Sequence, residues 1–328
     1  MRRSDLKRIL VTGGAGFIGH HFINLILDGN KDIEIINFDT LTYAADLSNI
    51  NISGKYIFIN GNIADDDDLN NLFGRYSFDA VVNFAAETHV DKSIENPFIF
   101  TQTNLLGFQK LFYKAMDNEV KRFIQISTDE VYGPNVNSEI FDENSSLKPD
   151  NPYSVSKAGA DMIIKSAMNT FGYKGIVVRS SNNYGTGQYP EKLIPLSIKR
   201  LISGEKIKLY GNGEQKRDWL SVNDNVNIIK KILFSGKDGD IYNSCTGVEK
   251  KNIDVAKLII KSVNEILGTN YDEVDDIEFI EDRKGHDYKY TMSNKKIMRD
   301  LGVTSFKDFD SGINDIVRYY LMENGVLR

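Results

Sequence analysis

Two short stretches hold residue types that can move protons. Thr128-Asp129-Glu130 sets a hydroxyl beside two adjacent carboxylates. Neighbouring acids can divide the donor and acceptor roles on one substrate when their surroundings push their pKa values apart. Tyr153 and Lys157 are spaced i and i+4, which puts both side chains on one face of a helix. An ammonium beside a phenol favours the phenolate, so such a tyrosine is suited to take a hydroxyl proton while hydride leaves the same carbon. Each stretch alone has a plainer reading, the acids as a solvated turn and the Tyr/Lys pair as surface decoration. The elements that carry them decide.

Thr128-Asp129-Glu130 follows the apolar run Phe123-Ile124-Gln125-Ile126 and then Ser127. The acids are therefore expected just past the carboxyl end of a buried strand, the edge where open α/β sheets bind ligands. Strands are expected at Arg8 to Val11, Ile33 to Phe38, Tyr56 to Ile59, Ala80 to Phe84, Phe123 to Ile126 and Ile176 to Val178. Helices are expected between them at Phe17 to Asp28, Asp66 to Phe73, Phe98 to Asn118 and Pro152 to Phe171. This alternation predicts an α/β fold with a Rossmann-like, doubly wound parallel sheet. After Val178 the rhythm breaks, and helices are expected near Lys192 to Ser203, Val255 to Leu267 and Phe309 to Met322. The expected division is a dinucleotide lobe over residues 1–184, rejoined by about 223–248, and a smaller α/β substrate lobe over 185–328. The acidic run Asp65 to Asp68 reads as first-turn charges facing the positive end of a helix dipole.

Thr12-Gly13-Gly14-Ala15-Gly16-Phe17-Ile18-Gly19 joins the first strand to the first helix. Gly14, Gly16 and Gly19 fit G-x-G-x-x-G, and Gly13, Gly16 and Gly19 fit the related G-x-x-G-x-x-G. Glycines here let the backbone approach a pyrophosphate, which the helix N-terminus then stabilises. Asp39, twenty residues past Gly19, ends the second strand. An acid there binds ribose hydroxyls and repels a 2′-phosphate, and no Arg or Lys adjoins it, so NAD is expected rather than NADP.

The 328 residues are 41% hydrophobic and carry a net charge of -6, which suits an ordinary globular protein without the basic stripe that nucleic acid requires. One cysteine, Cys245, excludes an internal disulfide and fits a reducing cytoplasm. The apolar run after the basic residues 1–8 is too short for a secretory signal, and no segment approaches a membrane span. Among His20, His21, His89 and His286 no pair has the i, i+4 spacing of a helical metal site, so no catalytic metal is expected.

The ordered blocks Gly13 to Gly19, Asp39 to Ala44, Ala85 to Ile94, Ser127 to Gly133, Pro152 to Lys157, Ser181 to Gly185, Pro190 to Pro195, Arg217 to Leu220 and Asp282 to Asp287 resemble the extended short-chain dehydrogenase/reductase superfamily. Within it the chain is most similar to the nucleotide-sugar 4,6-dehydratases, above all those acting on dTDP-glucose. The resemblance implies Thr128, Asp129, Glu130, Tyr153 and Lys157 as catalytic residues. Tyr153 would deprotonate the 4-hydroxyl, Glu130 would remove the carbon-5 proton and Asp129 would protonate the departing 6-hydroxyl. Cofactor contacts implied are Gly13, Gly16, Phe17, Ile18, Gly19, Asp39, Thr40, Thr42, Asn62, Ile63, Ala85, Ala86, Thr103, Tyr153, Lys157 and Asn183. Nucleotide-sugar contacts implied are Thr88, Asn182, Lys192, Leu193, Tyr210, Arg217, Asn243, Arg283 and His286. A homodimer paired through two long helices is implied as well, with apolar positions between Phe98 and Met116 and between Ile163 and Phe171 at the contact.

Some positions depart from the family pattern. Asn62 stands for an Asp, Thr88 for a Ser, Thr186 for a Pro, Asn225 for a His and Lys289 for an Arg, and residues 243–247 form an altered turn. These bear on the sugar and base, not on the reaction type. The same chemistry on UDP-N-acetylglucosamine or UDP-glucose is one alternative. A nucleotide-sugar 4-epimerase is another, though it has no use for Asp129 and Glu130.

Overall fold

The computed structural model describes residues 6–135, 139–282, 289 and 291–327. The chain starts with β1 (Arg8–Thr12), α1 (Phe17–Gly29), β2 (Glu34–Asp39), β3 (Lys55–Asn60), α2 (Asp66–Arg75) and β4 (Ala80–Asn83). Next come α3 (Val90–Glu95), α4 (Pro97–Phe100), α5 (Phe108–Asp117), β5 (Arg122–Thr128), α6 (Pro152–Phe171), β6 (Gly175–Ser180) and β7 (Asn182–Tyr184). The last third holds α7 (Leu193–Ile202), β8 (Ile207–Tyr210), β9 (Lys216–Ser221), α8 (Val222–Ser235), β10 (Ile241–Ser244) and β11 (Glu249–Lys251). It ends with α9 (Asn252–Leu267), β12 (Ile277–Ile280), α10 (Lys295–Leu301) and α11 (Phe309–Glu323).

Seven strands form the main sheet in the order β10-β6-β5-β4-β1-β2-β3, and every pairing in it is parallel. Helices cover both faces, so the inner strands are apolar on both sides, as parallel sheets require. All seven residues of β5 are buried. One core, with Val11, Phe22, Ile124 and Ile229, fills one face; another, with Leu10, Phe108, Phe123 and Ile164, fills the other. This is the doubly wound, Rossmann-like α/β fold. A third core, with Ile198, Trp219, Ile259 and Ile316, belongs to the smaller lobe and its two short sheets, β11-β9-β7 and β12-β8.

Two features go beyond the sequence pattern. The expected helix from Phe98 to Asn118 is broken: Thr101–Gly107 is a π-helix between α4 and α5. The wider turn accompanies a tether at Asn104, whose side chain accepts from Glu87 N at 2.8 Å and donates to Glu87 O at 2.9 Å and Ser156 Oγ at 3.0 Å. Apolar periodicity cannot signal such a polar tether. The chain also returns to the first core late, because α10 adds Ile297 and Leu301 to it. No described helix is long and apolar enough to cross a membrane.

Candidate active site

At the carboxyl edge of the main sheet lies a cavity of about 450 Å³. Its floor begins at the glycine loop. Gly13 has φ +68, and a Cβ there would meet the backbone of Phe84 and Ala85, so loop and β4 approach closely only because the residue is glycine. α1 starts from Gly16 with no side-chain cap and no acid in its first turn, which leaves its N–H groups to an anion. Asp39 ends β2 and accepts from Ala15 N at 2.9 Å and Leu41 N at 2.8 Å. Burial raises its pKa and those two bonds oppose the rise. This donor set fits a dinucleotide: backbone N–H groups for phosphates, and a carboxylate at the ribose. All the cofactor contacts expected from the sequence, from Gly13 to Asn183, line the cavity. Asn62 accepts from Ala64 N at 2.8 Å, so its amide also shapes the loop that follows β3.

The proton-moving residues share the next wall. Thr128 ends β5 and caps a short 3₁₀ turn, Asp129–Tyr132, with Glu130 N donating to Thr128 Oγ1 at 3.3 Å. This turn aims both acids into the cavity. Asp129 is almost wholly buried, and its pKa is pushed up to about 8, first by burial and then by the charge of Glu130. Arg217 and the Thr128 hydroxyl, which donates to Asp129 Oδ1 at 3.1 Å, pull the other way. Asp129 therefore holds its proton at neutral pH.

Tyr153 and Lys157 reach the same wall from α6. That helix starts sharply because Pro152 occupies its first turn and Asn151 caps it through a reciprocal capping box with Ser154. Lys157 Nζ donates to Ile126 O at 2.5 Å, and burial brings its pKa down to about 8 while Asp161 opposes the fall. The expectation that Lys157 lowers the pKa of Tyr153 meets a correction here. Burial, followed by the charge of Glu130, moves the phenol upward, and the opposing influence is a hydrogen bond with Thr128.

The expected nucleotide-sugar contacts divide. Thr88, Asn182 and Lys192 line the cavity. Lys192 Nζ donates to Thr88 O at 3.1 Å, which ties the second lobe to the loop after β4. Leu193, Tyr210, Arg217 and Asn243 are not on the cavity wall. Leu193 packs against the core of the smaller lobe, Tyr210 Oη donates to Asp91 Oδ2 at 3.3 Å, and Arg217 is buried within electrostatic reach of Asp129. Asn243 is fully buried: β10 joins the main sheet beside β6, and the side chain accepts from Tyr132 Oη at 2.7 Å behind the site. Arg283 and His286 lie outside the described residues.

Glu87, Gln102, Tyr189 and Glu191 also line the cavity, and residue-by-residue reading passed them over. Glu191 accepts from Tyr43 Oη at 3.2 Å and lies 3.6 Å from Lys92 Nζ. The available signal was Pro190-Glu191-Lys192, from which only the lysine was carried. Among the described residues no group of three His, Cys, Asp or Glu could hold a metal.

Glycine loop, strand-end acid and Tyr153/Lys157 thus meet in one cleft at the carboxyl edge of a parallel sheet. That meeting places the molecule among the extended short-chain dehydrogenases/reductases. Known proteins narrow the class further. The GDP-mannose 4,6-dehydratase family model matches residues 10–316, and the chain belongs to that family. It is 40% identical to a dTDP-glucose 4,6-dehydratase of Escherichia coli over 335 residues, covering 96% of this chain and 92% of that protein. It is 41% identical to the low-salt glycan biosynthesis protein Agl12 of Haloferax volcanii, covering 95% and 98%. Among solved structures, DesIV, a dTDP-glucose 4,6-dehydratase from Streptomyces venezuelae with NAD bound, aligns with a TM-score of 0.89 at 38% identity, covering 98% and 99%.

Proposed function

We infer that this chain is an NAD-dependent hydro-lyase that converts a nucleotide-diphosphate hexose, dTDP-glucose, to its 4-keto-6-deoxy form. The observation that carries the reading is the pairing of Asp129, protonated by its burial, with Glu130 on the same cavity wall as Tyr153. Named relatives that act on dTDP-glucose, including one solved with NAD, support the substrate and the cofactor.

When bound, NAD accepts hydride from carbon 4 and returns it to carbon 6. Gly13, Gly16 and the start of α1 hold its phosphates, and Asp39 its ribose. Tyr153 takes the proton of the 4-hydroxyl while Thr128 hydrogen-bonds that oxygen, and Lys157 brings positive charge to the same wall. The resulting 4-ketone acidifies carbon 5, whose proton Glu130 removes. Asp129 gives its proton to the 6-oxygen, which departs as water, and as hydride returns to carbon 6 Glu130 gives its proton back to carbon 5. An epimerase needs the tyrosine and lysine but has no task for this acid pair.

The division of labour follows the chain. Residues 1–184, with about 223–248, carry the cofactor side; residues 185–328 mainly carry the nucleotide-sugar side. The working unit is a homodimer in the cytoplasm. Supporting the dimer, α6 packs beside the segment 97–117 and the pair leaves Phe98 82% exposed, with Leu106, Val155 and Met162 also outside the core. An apolar surface of this kind fits burial against a second copy.

Incubating the purified chain and NAD with dTDP-glucose, UDP-glucose or UDP-N-acetylglucosamine, followed by mass spectrometry, tests the reading. Loss of one water from dTDP-glucose alone is expected. A mass-neutral change of configuration with no water loss would assign an epimerase instead.

A further inference from the structure

One side chain joins the two catalytic elements. Asn151 is buried in front of α6, and its Oδ1 accepts from Ser154 N at 2.8 Å. Because that N-cap bond requires an acceptor, the amide orientation is fixed and Nδ2 is the outward group. Nδ2 donates to Glu130 Oε2 at 3.1 Å. The backbone of Asn151 is held too, its N–H donating to Ser154 Oγ at 3.2 Å and its carbonyl accepting from the same hydroxyl at 3.0 Å.

A glutamate has three rotatable side-chain bonds, and a base is effective only when its oxygen is held within reach of the proton it removes. The amide of Asn151 supplies that restraint from the helix terminus that also carries Tyr153, two residues along. On the dehydratase reading, Tyr153 and Glu130 must act on adjacent carbons of one sugar, so their separation has to be reproducible. We propose that Asn151 is a positioning residue for the elimination step, orienting Glu130 relative to Tyr153 through its amide donor. It touches neither substrate nor cofactor in this role.

The inference rests on the proposed function and is separable from it by experiment. Asn151→Ser and Asn151→Asp both keep a good N-cap, so α6 retains its start in either variant. Both lose the amide donor, and the second sets a carboxylate against Glu130. Each full-length variant, with NAD and dTDP-glucose, is followed in a single turnover by absorbance at the NADH band and by mass spectrometry of quenched product. The first oxidation should stay close to that of the unaltered protein. Water loss should slow by roughly tenfold to a hundredfold, the scale of a hydrogen bond to a charged group, and more in Asn151→Asp. Without the donor the carboxylate form of Glu130 is less favoured, so the acid limb of water loss in Asn151→Ser should move to higher pH. Equal slowing of oxidation and water loss, or an unmoved acid limb, would overturn the positioning role. Failure of the unaltered protein to remove water from any nucleotide sugar would overturn the dehydratase reading and this inference with it.

Discussion

Lys157 Nζ points at the main-chain oxygen of Ile126, 2.5 Å away, and so its charge is moored to the last turns of strand β5 instead of swinging with its own side chain. The same oxygen accepts from Gln125 Nε2 at 3.3 Å. The ammonium is therefore fixed by the sheet on the wall that Tyr153 shares. Burial works against it by bringing the lysine to about 8 and moving the phenol upward.

Replacing Lys157 with Met leaves Tyr153 with no cation on its wall among the proposed catalytic residues. The first oxidation should fall by about a hundredfold or more, the usual scale of general-base catalysis. Tyr153→Phe should abolish the NADH signal on adding nucleotide sugar. Stopped-flow absorbance checks both, and an undiminished signal in either variant removes that residue from the mechanism.

Asp129→Asn with Glu130→Gln should separate the half-reactions. Oxidation at carbon 4 persists, whereas water loss drops by about 10²–10⁴-fold. Quenched-flow mass spectrometry should find the keto sugar with its 6-hydroxyl intact; the 4-keto-6-deoxy product at normal rate would end the assigned roles.

The raised pKa of Asp129 has a sign that melting curves can read. Its folded value, about 8, lies above the ordinary 3.8, so the folded chain keeps a proton there that the unfolded chain has released. The contribution of this group to stability is full below the unfolded value and is lost as pH rises toward 8. Asn at 129 does not titrate. Asp129→Asn should accordingly gain Tm relative to the unaltered protein as pH rises from about 4 to about 8, and water loss by the unaltered enzyme should decline above about pH 8. A pH-independent Tm difference would contradict the burial argument.

At Gly13 a methyl group has nowhere to go: φ is +68 and the backbone of Phe84 and Ala85 stands in the way. Gly13→Ala should cost about 1–3 kcal/mol of strain and weaken NAD binding by opening the loop. Denaturant titration and calorimetric NAD titration measure the two effects.

The dimer proposal makes a surface prediction. Phe98→Glu together with Met162→Lys should shift light-scattering mass from two copies to one and leave the fold intact, since both residues are exposed. An unchanged dimeric mass would place the interface elsewhere.

Chemistry carried by local spacing was legible in the sequence. The glycine loop, Asp39, the acid pair and Tyr153/Lys157 each sit within a strand end or helix turn, where periodicity sets direction, and all line the cavity. What depended on distant partners was not. The burial of Asn243 against Tyr132 follows from the pairing of β10 with β6, which its own segment does not announce. Nothing local told Asn104 to widen a helix, because its partners are the backbone of Glu87 and the hydroxyl of Ser156. Tyr153 and Lys157 were placed on one face correctly, but burial and Glu130 changed the direction of the phenol pKa.

The seventh strand of the main sheet arrives late, since β10 pairs with a strand that ends at Ser180. During synthesis the sheet that holds the dinucleotide stays unfinished until the smaller-lobe segment after residue 184 and then β10, ending at Ser244, have been made. In that interval β6 presents an open parallel edge, a template for pairing with another nascent chain. Closing so long a loop also favours slow completion, because its entropy is lost before the new contacts compensate. A fragment cut at residue 184 would keep that edge permanently, and aggregation is its expected fate.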